Sequence, residues 1–237
     1  MDTDQLINKY LPYLMEVRNR ILWIVSASLV GGILGFFLYD RIIGLAISFL
    51  NIEGVNIAFT SPFQYIELAI NSAVVFGIIT AFPFILAQLV SFLRPALKPP
   101  EFRLLVSLLP LAIILFVGGF IFGAVMMRYV IVIFQQSSAR LGIGNILDVG
   151  SLLSAILSTS ALMGIAFQFP LILTTLIYFK VVKYATVAKQ RPFAYLAVFI
   201  FAMMLPPTDI LTDFILAVPL VFLFELTLLL NKFIKGR

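Results

Sequence analysis

The sequence contains no cysteine and no histidine. The first absence excludes disulfides and thiolate ligands, and the second removes the imidazole on which many metal sites and much acid–base chemistry near neutral pH depend. Charge is scarce as well: Asp, Glu, Lys and Arg make up 11% of the 237 residues, against about 25% in an ordinary soluble domain. No GxxxxGK[ST] run occurs, so nucleotide hydrolysis at a P-loop is excluded. An intramembrane protease would need Ser–His, Ser–Lys, paired Asp or HExxH, and without histidine two of these routes vanish. Asp209 and Asp213 lie four positions apart around one short turn, not on two facing helices. The expectation is a protein that is not an enzyme, with no catalytic residue, metal or cofactor.

What the chain has in quantity is apolar sequence, at 62% hydrophobic residues. In hydrocarbon every backbone polar group must be bonded internally, which leaves helices or a closed barrel, and barrel strands alternate apolar and polar positions over about ten residues. The apolar runs here are continuous and about twice that long. They predict an all-α integral membrane protein of six helices in a single domain over residues 1–237. The spans fall near Ile21–Tyr39, Ile66–Val90, Leu104–Val125, Leu152–Tyr178, Phe193–Leu205 and Ile210–Leu230. Pro83, Pro110, Pro170 and Pro219 fall inside spans and predict kinked helices around a concavity. The opening stretch "MDTDQLINKYLPYLMEVRNR" is too polar for too long to be a cleaved signal peptide, so the first apolar run reads as a retained span.

Orientation follows from the basic residues, which are retained on the cytoplasmic side. One side holds Lys9, Arg18, Arg20, Arg94, Lys98, Arg103, Lys180, Lys183, Lys189, Arg191, Lys232, Lys235 and Arg237, and the other only Arg41, Arg128 and Arg140. Both termini are therefore expected in the cytoplasm, in a multi-pass protein of the cytoplasmic (inner) membrane. The net charge of +5 reflects this topology, and nothing resembles an aromatic-interleaved basic groove for nucleic acid. Residues 40–65 and 129–151 are expected to pack as short helices over the outer mouth. The inward loop "FLRPALKPPEFR" carries Pro95, Pro99 and Pro100, a stiff turn that presents Glu101 in a defined place.

A few polar side chains stand at costly depth, where an ionised carboxylate costs about 2.5–3.5 kcal/mol on insertion scales. They are Glu225 in "VFLFELTLLL", Gln168 in "IAFQFPLIL", and Glu67 with Asn71 on one face of the second span. Each can be an interhelical bonding partner, or Gln168, Glu67 and Glu225 can line the polar path of a small secondary transporter or channel. Such a transporter should repeat its broken segments in two halves, and spans one to three do not match four to six. A purely structural membrane scaffold is a further reading. Near the first span, "YLMEVRNRILW" places Glu16 four residues before Arg20, the favourable order for a helical ion pair worth about 0.2–0.5 kcal/mol. Glu16 and Glu101 are the only carboxylates on the inward loops and helix ends apart from Asp2 and Asp4.

Five strings in order resemble one family, TatC, the multispanning core subunit of the twin-arginine protein translocase. They are "YLMEVRNRIL", "SPFQYIEL", "FLRPALKPPEFR", "FQFPL" and "RPFAYLAVFIFAMMLPPTDILTDFILAVPLVFLFE", and together they span nearly the whole chain. The resemblance implies an export receptor that binds twin-arginine signal peptides of folded cargo and draws on the proton-motive force. It implies TatA- and TatB-type single-span subunits as partners in the lipid bilayer, and leaves self-association open. Matched position by position, it implies signal-peptide binding by Glu16, Arg18, Phe92, Pro95, Glu101 and Arg103, and an intramembrane polar role for Gln168 and Asp209. Carboxylates are the natural acceptors for paired guanidinium groups. Arg18 is expected to support Glu16 or to bond the peptide backbone, and Arg20 to anchor the helix. The chain departs from the family pattern at Gln168, where an acidic residue is expected, and at "PPTD", where the Asp is displaced by one. The stretch "KPP" before Glu101 is also less polar than the pattern. The short fifth span, rising about 20 Å where a hydrocarbon core is about 30 Å, predicts local bilayer thinning beside Asp209.

Overall fold

The structure, a computed structural model, describes residues 3–50, 56–58, 61–140, 146–206 and 209–235. The middle of "PPTD" and the terminal Arg237 lie outside the described residues. The elements run α1 (Thr3–Phe37), α2 (Tyr39–Leu50), β1 (Asn56–Ala58), α3 (Pro62–Leu93), a 3₁₀ turn (Arg94–Ala96) and α4 (Pro99–Arg140). They continue as β2 (Ile146–Asp148), α5 (Val149–Ala166), α6 (Phe169–Tyr178), α7 (Tyr184–Lys189), α8 (Arg191–Met203) and α9 (Ile210–Lys235). Five segments are long and apolar enough to cross a bilayer: Met15–Phe37, Phe63–Ala96, Pro99–Ser138, Val149–Tyr178 and Ile210–Phe233. They overlie five of the six expected spans. The remaining apolar helix, α8, has 13 residues.

Helix starts follow local chemistry. Ser61 caps α3 by accepting from the Phe63 amide, Gln64 reaches back to the Ser61 amide, and Pro62 takes the first helical position, where no N–H is needed. Asp148 accepts from the Ser151 amide at the start of α5, and Asp209 from the Thr212 amide at the start of α9. The Gln64 amide also donates to the Asp148 carboxylate, joining the first turns of α3 and α5. Among the described residues of the two long connections, the expectation of separate short helices holds for α2 alone. Residues 129–140 continue α4, and β1 pairs in parallel with β2 from Asn56↔Ile146 to Ala58↔Asp148. Apolar sequence with no breaker after Arg128 lets the α4 ladder run on.

The fourth span is two helices. Pro170 cannot donate to the Ala166 carbonyl, and the Gln168 amide bonds the Ile165 carbonyl at 3.0 Å in a tighter turn, so α5 ends and α6 begins. Pro83, Pro110 and Pro219 by contrast lie inside α3, α4 and α9.

Small residues let helices approach closely, as membrane interfaces require. Along α1 and α3, a Cβ on Gly77 would stand 2.7 Å from the Ser28 carbonyl oxygen, and one on Gly35 2.5 Å from Phe76 Cβ. Along α4 and α5, a Cβ on Gly123 would meet Ser160 Cα at 2.8 Å. Both pairs are antiparallel. Buried clusters form around Leu68, Met127 and Leu153, around Met163, Leu205 and Leu216, and around Leu173, Phe224 and Leu228. Tyr39 is buried edge-on against Tyr65 at 4.9 Å. Large apolar side chains such as Trp23 and Phe37 are exposed, as a bilayer-facing surface requires.

Candidate functional site

The antiparallel pairing of α1 and α3 brings Glu16, near the start of the first span, level with the end of α3. Arg20 lies one turn beyond Glu16 on the same helix face, and its guanidinium spans the gap. Nε and Nη2 donate to Glu16 Oε1 at 3.1 and 2.6 Å. Nη1 donates to the backbone carbonyl and to the side-chain Oε1 of Gln88, at 3.1 and 3.0 Å. Cζ stands 5.8 Å from the centre of the Phe92 ring, within cation–π range. Arg20 therefore makes the i, i+4 pair expected from the spacing and holds Glu16, one of the two roles expected of Arg18. Arg18 is exposed, and among the described residues its one hydrogen bond is to the Asn19 side chain, at 3.5 Å.

Glu101 belongs to the same end of the bundle, because α3 passes through the turn Arg94–Ala96 directly into α4. With Pro99 and Pro100 occupying the first two helical positions, Glu101 is the third, and its Oε2 accepts from the Lys98 amide at 2.9 Å. This is half of a capping box, which fixes the carboxylate at the helix entrance. Pro95 is exposed in the turn, Arg103 is exposed one turn into α4, and Arg94 lies over the Phe102 ring at 5.6 Å. Among the described residues no hydrogen bond or ion pair joins Glu16 to Glu101.

The intramembrane positions do not converge. Gln168 is buried at the α5–α6 break, where its Nε2 donates to the Ala112 carbonyl at 3.1 Å and the Gly164 carbonyl at 3.4 Å. It bonds α4 to α5 and serves Gly164, whose usual amide partner turns to Ile165. Its Oε1 is buried and has no hydrogen-bond partner among the described residues. Glu225 accepts from the Tyr195 hydroxyl at 2.5 Å and lies 3.3 Å from Arg191 Nε. Asp209 is spent on the α9 cap, taking the Thr212 amide at 2.9 Å and the Thr212 hydroxyl at 2.5 Å. Glu67 opens into a groove of about 790 Å³ beside Asn71, Ser154 and Ser158, and makes no hydrogen bond among the described residues. Asn71 bridges α3 to α5 through the Ser154 carbonyl and Ser158 Oγ, both at 3.1 Å. Three separate surroundings for Gln168, Glu225 and Glu67 do not make one polar path. Sequence reasoning missed Gln88 and Tyr195; a lone amide in the apolar run "ILAQLVSFL" was the available signal for the first.

The model of the family described as Sec-independent protein translocase protein (TatC) matches residues 12–219. The chain belongs to the TatC family. The TatC of Carboxydothermus hydrogenoformans is 27% identical, covering 95% of this chain and 93% of its own length. TatCy of Bacillus subtilis is 28% identical over 94% and 88%, and Escherichia coli TatC 26% identical over 100% and 91%. A crystal structure of the twin arginine translocase receptor TatC superposes with a TM-score of 0.78 at 25% identity, covering 93% of this chain and 98% of that one. As a TatC-family protein, the chain is a non-enzymatic, multi-pass component of the Sec-independent protein translocase of the inner membrane. A small transporter or channel is not favoured.

Proposed function

We propose that the end of the bundle carrying Glu16 and Glu101 faces the cytoplasm and receives the consecutive arginines of signal peptides on folded cargo. In this reading the chain crosses the membrane six times, α8 being the fifth span and α9 the sixth, with both termini inside and the helices gathered in one concave domain. The observation that carries the proposal is the placement of two oriented carboxylates at one end of the molecule, beside exposed Phe92 and Pro95. Each is half-spent on an internal bond, and among the described residues no hydrogen bond reaches its other oxygen. Paired guanidinium groups need such acceptors, and a charge-assisted bond of this kind is worth about 1.5–3 kcal/mol. Phe92 and Pro95 offer an apolar edge to the peptide residues after the arginines, and the exposed Arg18 and Arg103 are placed to bond its carbonyls. TatA- and TatB-type subunits complete the machine, which draws on the proton-motive force. Gln168 and Asp209 serve it as fixed polar points within the bundle.

The test is site-specific crosslinking of a twin-arginine signal peptide to the membrane-embedded protein and to its Glu16→Ala and Glu101→Ala variants. Each variant is expected to lose most of the adduct, and equal yields from all three would overturn the assignment.

A further inference from the structure

Arg20 is the most heavily committed charge among the described residues. Four of the five N–H donors of a guanidinium are engaged, two on Glu16 Oε1 and two on Gln88. The side chain is 21% exposed, against 44% for Glu16. It is pinned from three sides by groups of another helix: the Gln88 carbonyl, the Gln88 amide oxygen and the Phe92 ring. A flexible surface arginine would compete with an incoming ligand for Glu16. One held in this way cannot follow the ligand and cannot swing over the second carboxylate oxygen. Both of its bonds go to Oε1, and nothing among the described residues reaches Oε2. The arrangement mirrors that of Glu101, whose Oε2 is tied to the Lys98 amide while no hydrogen bond among the described residues reaches Oε1.

We propose that Arg20, braced by Gln88 and Phe92, is a positioning residue for the twin-arginine site: it locks the Glu16 carboxylate so that a single oxygen, Oε2, is presented to one guanidinium of the ligand. The proposal rests on the receptor reading given above. Immobilising the acceptor beforehand removes an ordering cost that binding would otherwise carry. It also gives Phe92 a second task beneath the arginine, so that the apolar edge and the acid are held in one register. The i, i+4 pair is then more than a helix staple, because its arginine is fixed to α3 and its acid is not.

The experiment measures affinity of a synthetic peptide bearing two consecutive arginines, and of its Lys–Lys counterpart, for the full chain in lipid nanodiscs. Arg20→Met is expected to weaken the Arg–Arg peptide by about tenfold, or about 1.4 kcal/mol. In a Glu16→Ala background the same change should alter affinity by less than about twofold, since a residue that acts through Glu16 has nothing left to position. Gln88→Ala removes one acceptor and leaves the backbone carbonyl. It should cost roughly threefold on the same scale, again only while Glu16 is present, and it carries the test if Arg20→Met does not assemble. Unchanged or tighter binding by Arg20→Met would make Arg20 a bystander or a competitor and overturn the proposal. Equal losses with and without Glu16 would reduce Arg20 to structural support and overturn it equally. Wild-type affinity in Glu16→Ala alone would bring down the receptor reading itself, and the clamp with it.

Discussion

Gly118 and Gly119 are neighbours in α4 with opposite surroundings. A Cβ on Gly118 would meet nothing within 4 Å. A Cβ on Gly119 would stand 2.6 Å from the Met163 carbonyl oxygen and 2.8 Å from Phe167 Cβ. That carbonyl cannot turn away, because it already accepts the Phe167 amide at 2.9 Å. Alanine substitution at either site brings the same gain in helix propensity, about 0.8–1 kcal/mol in water, so the difference between the variants isolates the packing term. Overfilling a close-packed contact costs about 1–3 kcal/mol. To restore ordinary contact from 2.6 Å, α5 must retreat by several tenths of an ångström, and the next residue after Phe167 is Gln168, bonded to Ala112 at 3.1 Å. Losing that bond adds about 0.6–1.7 kcal/mol. Gly119→Ala should therefore be less stable than Gly118→Ala by about 2–4 kcal/mol. At roughly 2–4 °C per kcal/mol for a chain of this size, thermal melts in one detergent should separate the two by about 5–15 °C. Equal melting temperatures, or a more stable Gly119 variant, would refute the claim that backbone-to-backbone approach of α4 and α5 organises this half of the bundle.

Glu101→Gln keeps an oxygen for the Lys98 amide but removes the charge, so peptide binding should fall while the melting temperature holds within a degree or two. A matched loss of both would assign Glu101 to the cap alone. Gln168→Leu removes two bonds to carbonyls but also an unpartnered oxygen, so the net cost should be modest, about 1 kcal/mol. A fall of several kcal/mol in a denaturant or melt assay would show that more rests on this amide than the bonds to Ala112 and Gly164. Inserting one helical turn of leucine in each of α8 and α9 should depress export of a folded reporter while leaving signal-peptide crosslinking intact, and unchanged export would dismiss bilayer thinning at the short helix.

The composition by itself determined that the chain is helical and lies in a membrane, because runs of about 20 apolar residues without alternation leave the backbone no other way to satisfy its bonds in hydrocarbon. Punctuation was legible for the same local reason. Ser61 with Pro62 and Gln64, Lys98 with Pro99, Pro100 and Glu101, and Asp209 ahead of Thr212 act on their own first turns, so their caps follow from neighbours in the chain. The break beside Pro170 is only partly of this kind: proline explains the missing donor, but not that Gln168 at the break reaches Ala112 on α4, 56 residues away.

Spacing along α1 already separates Arg20, four residues from Glu16, from Arg18, two residues from it; tertiary structure decided what braces the pair. Both are arginines within one turn of Glu16, and only the crossing of α1 with α3 places Gln88 and Phe92 under the second of them. The same holds for the partners of Glu225 and for the dispersal of Glu67, Gln168 and Glu225 into three surroundings. Periodicity reports which face of a helix is apolar. It is silent on which polar atoms meet across two helices, because that depends on crossing position and on where glycines allow the backbones to close.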